Sequence, residues 1–290
     1  MLSQRLANLE ESATLALNAK VKALQASGQT VYNLTAGEPD CDTPAYIQKS
    51  VAKALDQNKY TPTAGLPALR YAIANSARGF YTAKWITEDN IVVTAGAKPA
   101  LFAIFQVLLD PGDEVIIPSP SWVSYKRQVE LAGGAVVEVP LRKNFDLDAK
   151  AIAKKISPRT KIVLINSPHN PTGLVFSARE IAKLARVVKD KPIFVLSDDI
   201  YARLVYGDDY SPITTQPFNK DRLVIINGFS KSQALTGWRI GYLIAPPAVA
   251  TAVAQLLSHT FGNAPLPSQN AALSALAGGD QPPMLKDLTR

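Results

Sequence analysis

Seven short runs rich in β-branched residues recur along this chain, separated by segments whose apolar residues have helical spacing. Strands that alternate with helices build a mainly parallel sheet with helices on both faces. The pattern therefore predicts one large α/β domain around a seven-stranded sheet. The predicted strands are residues 91–94, 115–117, 135–139, 161–166, 193–197, 223–229 and 240–244, and the helices between them include 99–109, 121–132 and 178–189.

The two ends of the chain lie outside this array of strands. Residues 1–34 contain no strand run, and their Leu and Ala spacing predicts a helical arm that packs on the protein or belongs to a small domain. Residues 35–290 are predicted to form the large ligand-binding domain. Because a further helix opens after Pro283 and the chain stops at Arg290, we expect that the chain is truncated before a C-terminal segment.

Composition excludes several classes of protein. The 47% hydrophobic and 19% charged fractions are those of a globular domain, and no apolar run is long enough to cross a bilayer. A single cysteine excludes a disulfide framework and a cysteine zinc cluster. The net charge of +7 comes from scattered residues, which favours a solvated surface with some attraction for anionic ligands over nucleic-acid binding. The N-terminus lacks a secretory signal, so the expected location is the cytoplasm.

Unusual polar residues follow three of the predicted strands. Asn170 follows the fourth strand, Asp198 the fifth, and Ser230 and Lys231 the sixth, with Arg239 eight residues further on. Taken singly, such an acid is usually a helix cap, such an asparagine part of a turn, and such a lysine solvated. Because ligands bind beyond the carboxyl ends of parallel strands, their joint occurrence predicts a polar site at one edge of the sheet.

These residue types together suit a cofactor that forms a Schiff base. A lysine amine can condense with an aldehyde, and a carboxylate beside a pyridine nitrogen keeps that nitrogen protonated. A phosphate group can be bound by the start of a helix and an arginine. Gly96 and Ala97 precede the helix at 99–109 and can supply the backbone amides of such a site. The sequence contains neither GxxxxGK[ST] nor GxGxxG, which disfavours nucleotide hydrolysis and dinucleotide binding.

The segments 166–173 (NSPHNPTG), 197–201 (SDDIY) and 228–242 (GFSKSQALTGWRIGY) resemble the class I/II aminotransferases of pyridoxal-phosphate (PLP) fold type I, and so do TAGEPD at 35–40 and YTPTAG at 60–65. The resemblance covers nearly the whole chain. It implies the large domain of that fold, pyridoxal 5'-phosphate as cofactor, and an amino acid and a 2-oxo acid as substrates.

The resemblance also implies roles for individual residues. Lys231 would hold the cofactor and move the substrate proton, Asp198 would face the pyridine nitrogen, and Tyr201 would bind the ring oxygen together with Asn170. Trp122 would stack on the pyridine ring. The remaining matched positions are Gly96, Ala97, Ser230 and Arg239 at the phosphate, Tyr60 at the phosphate of the neighbouring subunit of a homodimer, and Gly37 at the substrate α-carboxylate.

The substrate implied by the resemblance is acidic. Lys98 and Thr14 match positions that contact a side-chain carboxylate in the bacterial aspartate-type enzymes, so aspartate and 2-oxoglutarate are the expected pair. Alternatives are a prephenate or other amino-acid aminotransferase of the same subgroup, a C–S lyase, and a fragment that binds the cofactor without turnover. Asp199 replaces the usual glutamate of the family. The C-terminal domain that we expect to follow this segment in the family would carry an arginine that binds the α-carboxylate.

Overall fold

The computed structural model describes residues 13–35, 37–57, 59–207 and 210–278. Within them the α-helices are α1 (Ala13–Ala26), α2 (Ala45–Ala52), α3 (Pro67–Phe80), α4 (Ala97–Leu108), α5 (Val123–Leu131), α6 (Ala149–Lys155), α7 (Ala178–Val188), α8 (Pro247–Ser258) and α9 (Leu266–Ala277). The strands are β1 (Ile91–Thr94), β2 (Glu114–Ser119), β3 (Ala135–Pro140), β4 (Thr160–Asn166), β5 (Phe194–Asp198), β6 (Leu223–Gly228) and β7 (Gly241–Ile244).

The seven strands form one sheet in the order β1-β7-β6-β5-β4-β2-β3. The β2–β3, β2–β4, β4–β5 and β5–β6 pairs are parallel, whereas β7 runs antiparallel to both β1 and β6. The predicted seven-stranded, mainly parallel sheet is therefore confirmed. Every strand overlaps its predicted run, and β2 is longer than predicted because Pro118 remains within it.

Helices cover both faces of the sheet, because successive side chains of each strand point to opposite sides. Val163 and Val195 pack with buried residues of α2, α3, α6, α7 and α9, on what we call the α3 face. Leu164 and Leu196 pack with α4, α5 and α8, on what we call the α4 face. The central strands β4, β5 and β6 are thus buried on both sides, which explains their nearly continuous apolar sequences.

Local signals in the sequence fix where the covering helices start. At α7, the Ser177 side chain accepts a hydrogen bond from the Glu180 amide (3.3 Å), and the Glu180 carboxylate accepts one from the Ser177 amide (2.9 Å). This reciprocal pair satisfies amides that a helix start leaves without partners. The same carboxylate accepts a hydrogen bond from the Leu147 amide (2.6 Å), which ties α7 to the segment before α6.

The helix α1 confirms a helical segment near the N-terminus. Its Val21 side chain is buried, whereas Leu17 is 51% exposed. The boundary at residue 35 between this arm and the large domain stays a prediction. Among the described residues, no helix combines the length and the apolar character that a membrane span requires.

Candidate active site

The carboxyl ends of β4, β5 and β6 border a cavity of about 800 Å³. This edge of the sheet is where the polar residues that follow the strands were predicted to converge. Most of the predicted residues do line the cavity, namely Gly37, Ala97, Lys98, Trp122, Asn170, Asp198, Tyr201, Ser230, Lys231 and Arg239.

Asp198 ends β5, and its carboxyl group is buried at 3% exposure. One carboxyl oxygen accepts a hydrogen bond from the Tyr125 hydroxyl (2.7 Å), and the other accepts one from the Ile200 amide (3.2 Å). Burial raises the pKa of Asp198 to about 6, although both hydrogen bonds oppose the rise. A buried carboxylate at the wall of a cavity is stabilised by a cationic partner, so this position favours a ligand with a protonated group.

Lys231 lies three residues beyond β6, in the same cavity as Asp198. Its Nζ donates a hydrogen bond to the Gly37 carbonyl and lies 5.8 Å from the centroid of the Tyr201 ring. Burial lowers the pKa of the amine, Glu38 opposes this shift, and Arg239 adds to it. A lysine with a lowered pKa has a larger neutral fraction, which is the nucleophilic and basic form.

A chain of hydrogen bonds joins β4, β5 and the segment that carries Tyr201. The Asn166 side chain donates to the Asp198 carbonyl (2.7 Å) and accepts from the Asn170 amide (2.8 Å). The Asn170 side chain in turn forms a hydrogen bond with Tyr201, which opposes the rise in the tyrosine pKa that burial causes. These contacts hold Asn170 and Tyr201 together, and their role at a cofactor oxygen, which the resemblance implies, stays a prediction.

The start of α4 forms a narrow cradle against Arg239. Gly96 has φ of +102°, and a Cβ placed on it would lie 2.6 Å from a guanidinium nitrogen of Arg239. A Cβ on Gly241 would lie 2.7 Å from the Ala97 amide nitrogen. A side chain would be strained at Gly96 by its positive φ and at Gly241 by the Ala97 backbone, so glycine lets the amides at the start of α4 and the Arg239 guanidinium group lie close together. This donor set suits a phosphate group. Ser230 lies in the same cavity wall.

Lys98 and Trp122 form a second cationic feature of the cavity. The Lys98 Nζ lies 4.9 Å from the centroid of the Trp122 ring, within the range of a cation–π contact. Burial lowers the pKa of Lys98, and the nearby charge of Arg239 lowers it further. The Gln128 side chain donates to the Lys98 carbonyl (3.2 Å) and so anchors this first turn of α4 to α5.

Three predicted residues are not among those that line the cavity, namely Gly96, which directly precedes α4, Tyr60 and Thr14. Tyr60 is 99% exposed, so its predicted contact depends on a second subunit and stays a prediction. Thr14 lies in α1, but its side chain falls outside the described residues, and its role also stays a prediction.

Sequence reasoning missed Tyr125 and Asn166 as parts of the site. Tyr125 is buried and binds Asp198 directly, and its ring packs edge-on against Trp122 with 5.2 Å between the ring centroids. Residues three apart on a helix share a face, so the spacing of Trp122 and Tyr125 was a usable signal. Asn166 gave a weaker signal, because a polar residue at a strand end has many ordinary explanations.

A family model of the class I and II aminotransferases matches residues 29–285. The chain belongs to this family. The aspartate aminotransferase of Thermotoga maritima is 46% identical over 280 residues, which are 95% of this chain and 74% of that protein. The aspartate/prephenate aminotransferase of Thermus thermophilus is 42% identical over 280 residues, covering 95% of this chain and 72% of that protein.

Solved structures of aminotransferases share the fold. The Thermotoga maritima aspartate aminotransferase gives a TM-score of 0.94 at 44% identity, covering 99% of this chain and 77% of that one. The Thermus thermophilus aspartate aminotransferase with maleate gives a TM-score of 0.91 at 41% identity, covering 96% of this chain and 73% of that one. The family, the fold and the aminotransferase class of enzyme predicted from the sequence are confirmed, whereas the roles of individual residues stay predictions.

Proposed function

We propose that this aminotransferase moves an amino group from an acidic amino acid, in first place aspartate, to a 2-oxo acid such as 2-oxoglutarate, with pyridoxal 5'-phosphate as cofactor. The observation that carries the proposal is the joint placement of Lys231, Asp198 and the Arg239 cradle around one cavity. The names of the relatives support aspartate as the amino donor.

The cavity fits the three reactive parts of this cofactor. The α4 start and Arg239 suit its phosphate, the buried Asp198 suits a protonated pyridine nitrogen, and Lys231 suits its aldehyde. When bound, the cofactor supplies an electron sink that stabilises negative charge at the substrate α-carbon. Trp122 presents an aromatic ring in the same cavity.

Each residue of the chain then has a separate task. Lys231, with its lowered pKa, can attack a carbonyl as the neutral amine and can accept or return the proton of the α-carbon. Asp198 keeps a positive charge on the ring nitrogen by charge pairing in a buried setting. Tyr201, held by Asn170, can donate its hydroxyl hydrogen to an oxygen of the cofactor ring.

Lys98 is the residue that supports an acidic substrate. Its ammonium group lies in the cavity on the same helix start as the proposed phosphate site, close to Trp122. A carboxylate on a substrate side chain would form a charge-assisted hydrogen bond with this group. The prediction that Thr14 contributes a second contact is retained.

Replacing Lys98 with methionine is expected to lower kcat/KM for aspartate by roughly 10- to 100-fold, the effect of losing one charge-assisted hydrogen bond. The value for alanine should change little, because alanine has no side-chain carboxylate. The measurement follows the loss of visible absorption of the bound cofactor as each amino acid is added.

The matched control for this experiment is Lys126→Met. Lys126 is an exposed lysine of α5 that pairs with Glu138 (3.4 Å) and is not among the residues that line the cavity. If kcat/KM falls equally for aspartate and alanine in the Lys98 variant, the assignment of an acidic substrate is wrong. Prephenate is a 2-oxo acid and accepts the amino group, so it is tested separately, by the recovery of visible absorption when it is added to the amine form of the cofactor. The apolar side chains of Val175, Leu204 and Val205, which line the cavity, suit such a ring-bearing substrate.

We also infer that the protein works as a homodimer in which each subunit completes the site of the other. Tyr60 is 99% exposed, and Leu34 and Tyr32 are 93% and 89% exposed. Large side chains with this exposure are suited to burial against a partner. The resemblance assigns Tyr60 to the phosphate of the neighbouring subunit.

Hybrid dimers test this shared site. Tyr60→Phe is expected to weaken cofactor binding by roughly 10- to 100-fold, and Lys231→Ala removes the anchoring amine from its own chain. A hybrid of the two chains would contain one site with both residues intact. After random mixing, roughly a quarter of all sites should therefore bind the cofactor with wild-type affinity. If co-expressed chains purify as a mixed dimer but contain no sites of wild-type affinity, the assignment of Tyr60 is wrong.

A further inference from the structure

Asp199 is a second buried carboxyl group, directly after Asp198, that the proposed reaction does not use. Its exposure is 2%, and its amide donates to the Ile226 carbonyl (2.8 Å), which continues the pairing of β5 with β6. Because side chains alternate along a strand, Asp199 points to the α3 face, opposite to Asp198. A buried acid away from the cavity requires partners of its own.

Three hydroxyl groups supply these partners. The carboxyl group of Asp199 accepts hydrogen bonds from the hydroxyls of Ser197 (2.5 Å) and Tyr210 (3.1 Å). It also forms a hydrogen bond with the Tyr81 hydroxyl. The Asn227 side chain donates to that same Tyr81 hydroxyl (2.9 Å), which leaves the hydrogen of Tyr81 to point at Asp199. Burial raises the pKa of Asp199 to about 7, and the three hydroxyl donors oppose the rise.

Asp199 also starts the turn that carries Tyr201. The Ala202 amide donates to the Asp199 carbonyl (2.9 Å), and the Leu204 amide donates to the Tyr201 carbonyl (2.8 Å). Residues 200–207, which we call the Tyr201 segment, contribute Tyr201, Leu204 and other side chains to the cavity wall. One wall of the active site therefore begins at the backbone of Asp199.

Tyr210, which follows the Tyr201 segment, is held on the α3 face as well. Its ring stacks on Phe80 with 5.7 Å between the centroids and 21° between the planes. Arg203, within the segment, also contacts the Phe80 ring, with its guanidinium carbon 4.2 Å from the centroid. The stacking on Phe80 and the hydrogen bond to Asp199 therefore act together on Tyr210.

We propose that Asp199 is a positioning residue that fixes the direction of Tyr201 in the cavity. On the α3 face its carboxyl group binds Ser197, Tyr81 and Tyr210. It thereby links the residue before the Tyr201 segment to Tyr210, which follows the segment, and we call this link the tie. The tie between Asp199 and Tyr210 is a property of the chain alone. Its effect on the cofactor rests on the proposed function, because it acts through the hydroxyl of Tyr201.

Tyr210→Phe is the sharpest test, because it removes one hydroxyl and keeps the ring on Phe80. Without cofactor, amide hydrogen exchange of a peptide covering 200–207 should become roughly tenfold faster or more, while peptides of β4 and β6 stay unchanged. Asp199→Asn should have at least the same effect, because its amide nitrogen would face a hydroxyl donor. Tyr71→Phe on α3 is the matched control, since Tyr71 is 56% exposed.

The second readout is the pH midpoint at which the visible absorption of the lysine-bound cofactor changes. A hydroxyl that donates to the ring oxygen disfavours protonation of the nitrogen that joins Lys231 to the cofactor. A misdirected Tyr201 should therefore raise this midpoint. Tyr210→Phe and Tyr201→Phe are expected to raise it in the same direction, with the larger shift for Tyr201→Phe.

The outcomes separate this inference from the proposed function. Unchanged exchange in the Tyr210 and Asp199 variants would overturn the tie, whether or not the protein binds the cofactor. Faster exchange with an unchanged midpoint in a protein that binds the cofactor would overturn the positioning of Tyr201. A wild type that never acquires visible absorption would contradict the proposed function, and the exchange result would still decide the tie.

Discussion

Replacing Lys231 with alanine is expected to lower the rate of amino transfer by about four orders of magnitude or more. The substitution removes the amine that would bind the cofactor aldehyde and the base that would move the α-proton, and a well-placed base alone contributes up to about 10⁴-fold. The rate is measured with aspartate and 2-oxoglutarate in the presence of excess cofactor. The visible absorption of the lysine-bound cofactor should disappear in the same variant.

The control for this experiment is the exposed lysine Lys126, whose replacement by alanine should leave the rate within about twofold of the wild type. The Lys231 variant should still retain the cofactor by its phosphate, because Arg239 and the start of α4 are unaltered. If the Lys231→Ala protein kept more than about a hundredth of the wild-type rate, another group would have to perform the proton transfer. That result would remove the central assignment of the active site.

The sheet and its helices could be predicted because their signals are local. Strand runs such as residues 223–229 are apolar on both sides, as a strand between two layers of helices must be, and the observed β6 is Leu223–Gly228. The antiparallel direction of β7 was not predicted. It depends on the turns within residues 230–239, which bring Gly241 opposite Gly228, and no residue pattern specifies this pairing locally.

The convergence of Asp198 and Lys231 on one cavity was also predictable, because it follows from the geometry of parallel strands. The finer contacts depend on packing between distant segments. Tyr125 reaches Asp198 only because α5 packs on the α4 face, and the Asn166 contacts require the register that places Asn166 beside Asp198. Such distances arise from the whole fold and leave no signal at a single position.

The cradle shows the same division between local and distant information. A small residue before a helix suggested an anion site at Gly96 and Ala97. The need for glycine at Gly96 comes from its own backbone, which has φ of +102°, whereas the need at Gly241 comes from the backbone of Ala97, in a segment more than 140 positions away. The sequence could therefore predict the donors of the cradle without showing why larger residues are excluded.

Replacing Asp198 with asparagine is expected to lower the rate of amino transfer by roughly a thousandfold, the size of effect seen when a preorganised electrostatic partner is removed. Asparagine retains the shape and one hydrogen-bond acceptor but cannot neutralise a protonated pyridine nitrogen. The rate is measured as for Lys231. Binding of the cofactor should persist, and its visible absorption should remain, because Lys231 and the phosphate cradle are intact.

The stability of the cofactor-free protein provides an independent check on Asp198. Its pKa is raised from 3.8 to about 6, so between these values the folded chain holds a proton that the unfolded chain has released. The contribution of this group to the free energy of unfolding is therefore fully present below about pH 4 and is lost as pH rises through about 6. Relative to the wild type, Asp198→Asn should gain up to about 3 kcal/mol across this window. Denaturant unfolding of both proteins at several pH values measures the difference. If the free energies of unfolding of the two proteins run parallel from about pH 4 to about pH 6.5, folding does not raise the pKa of Asp198. The carboxyl group would then be ionised without a cationic partner, and its burial would give no reason to expect that it pairs with the cofactor.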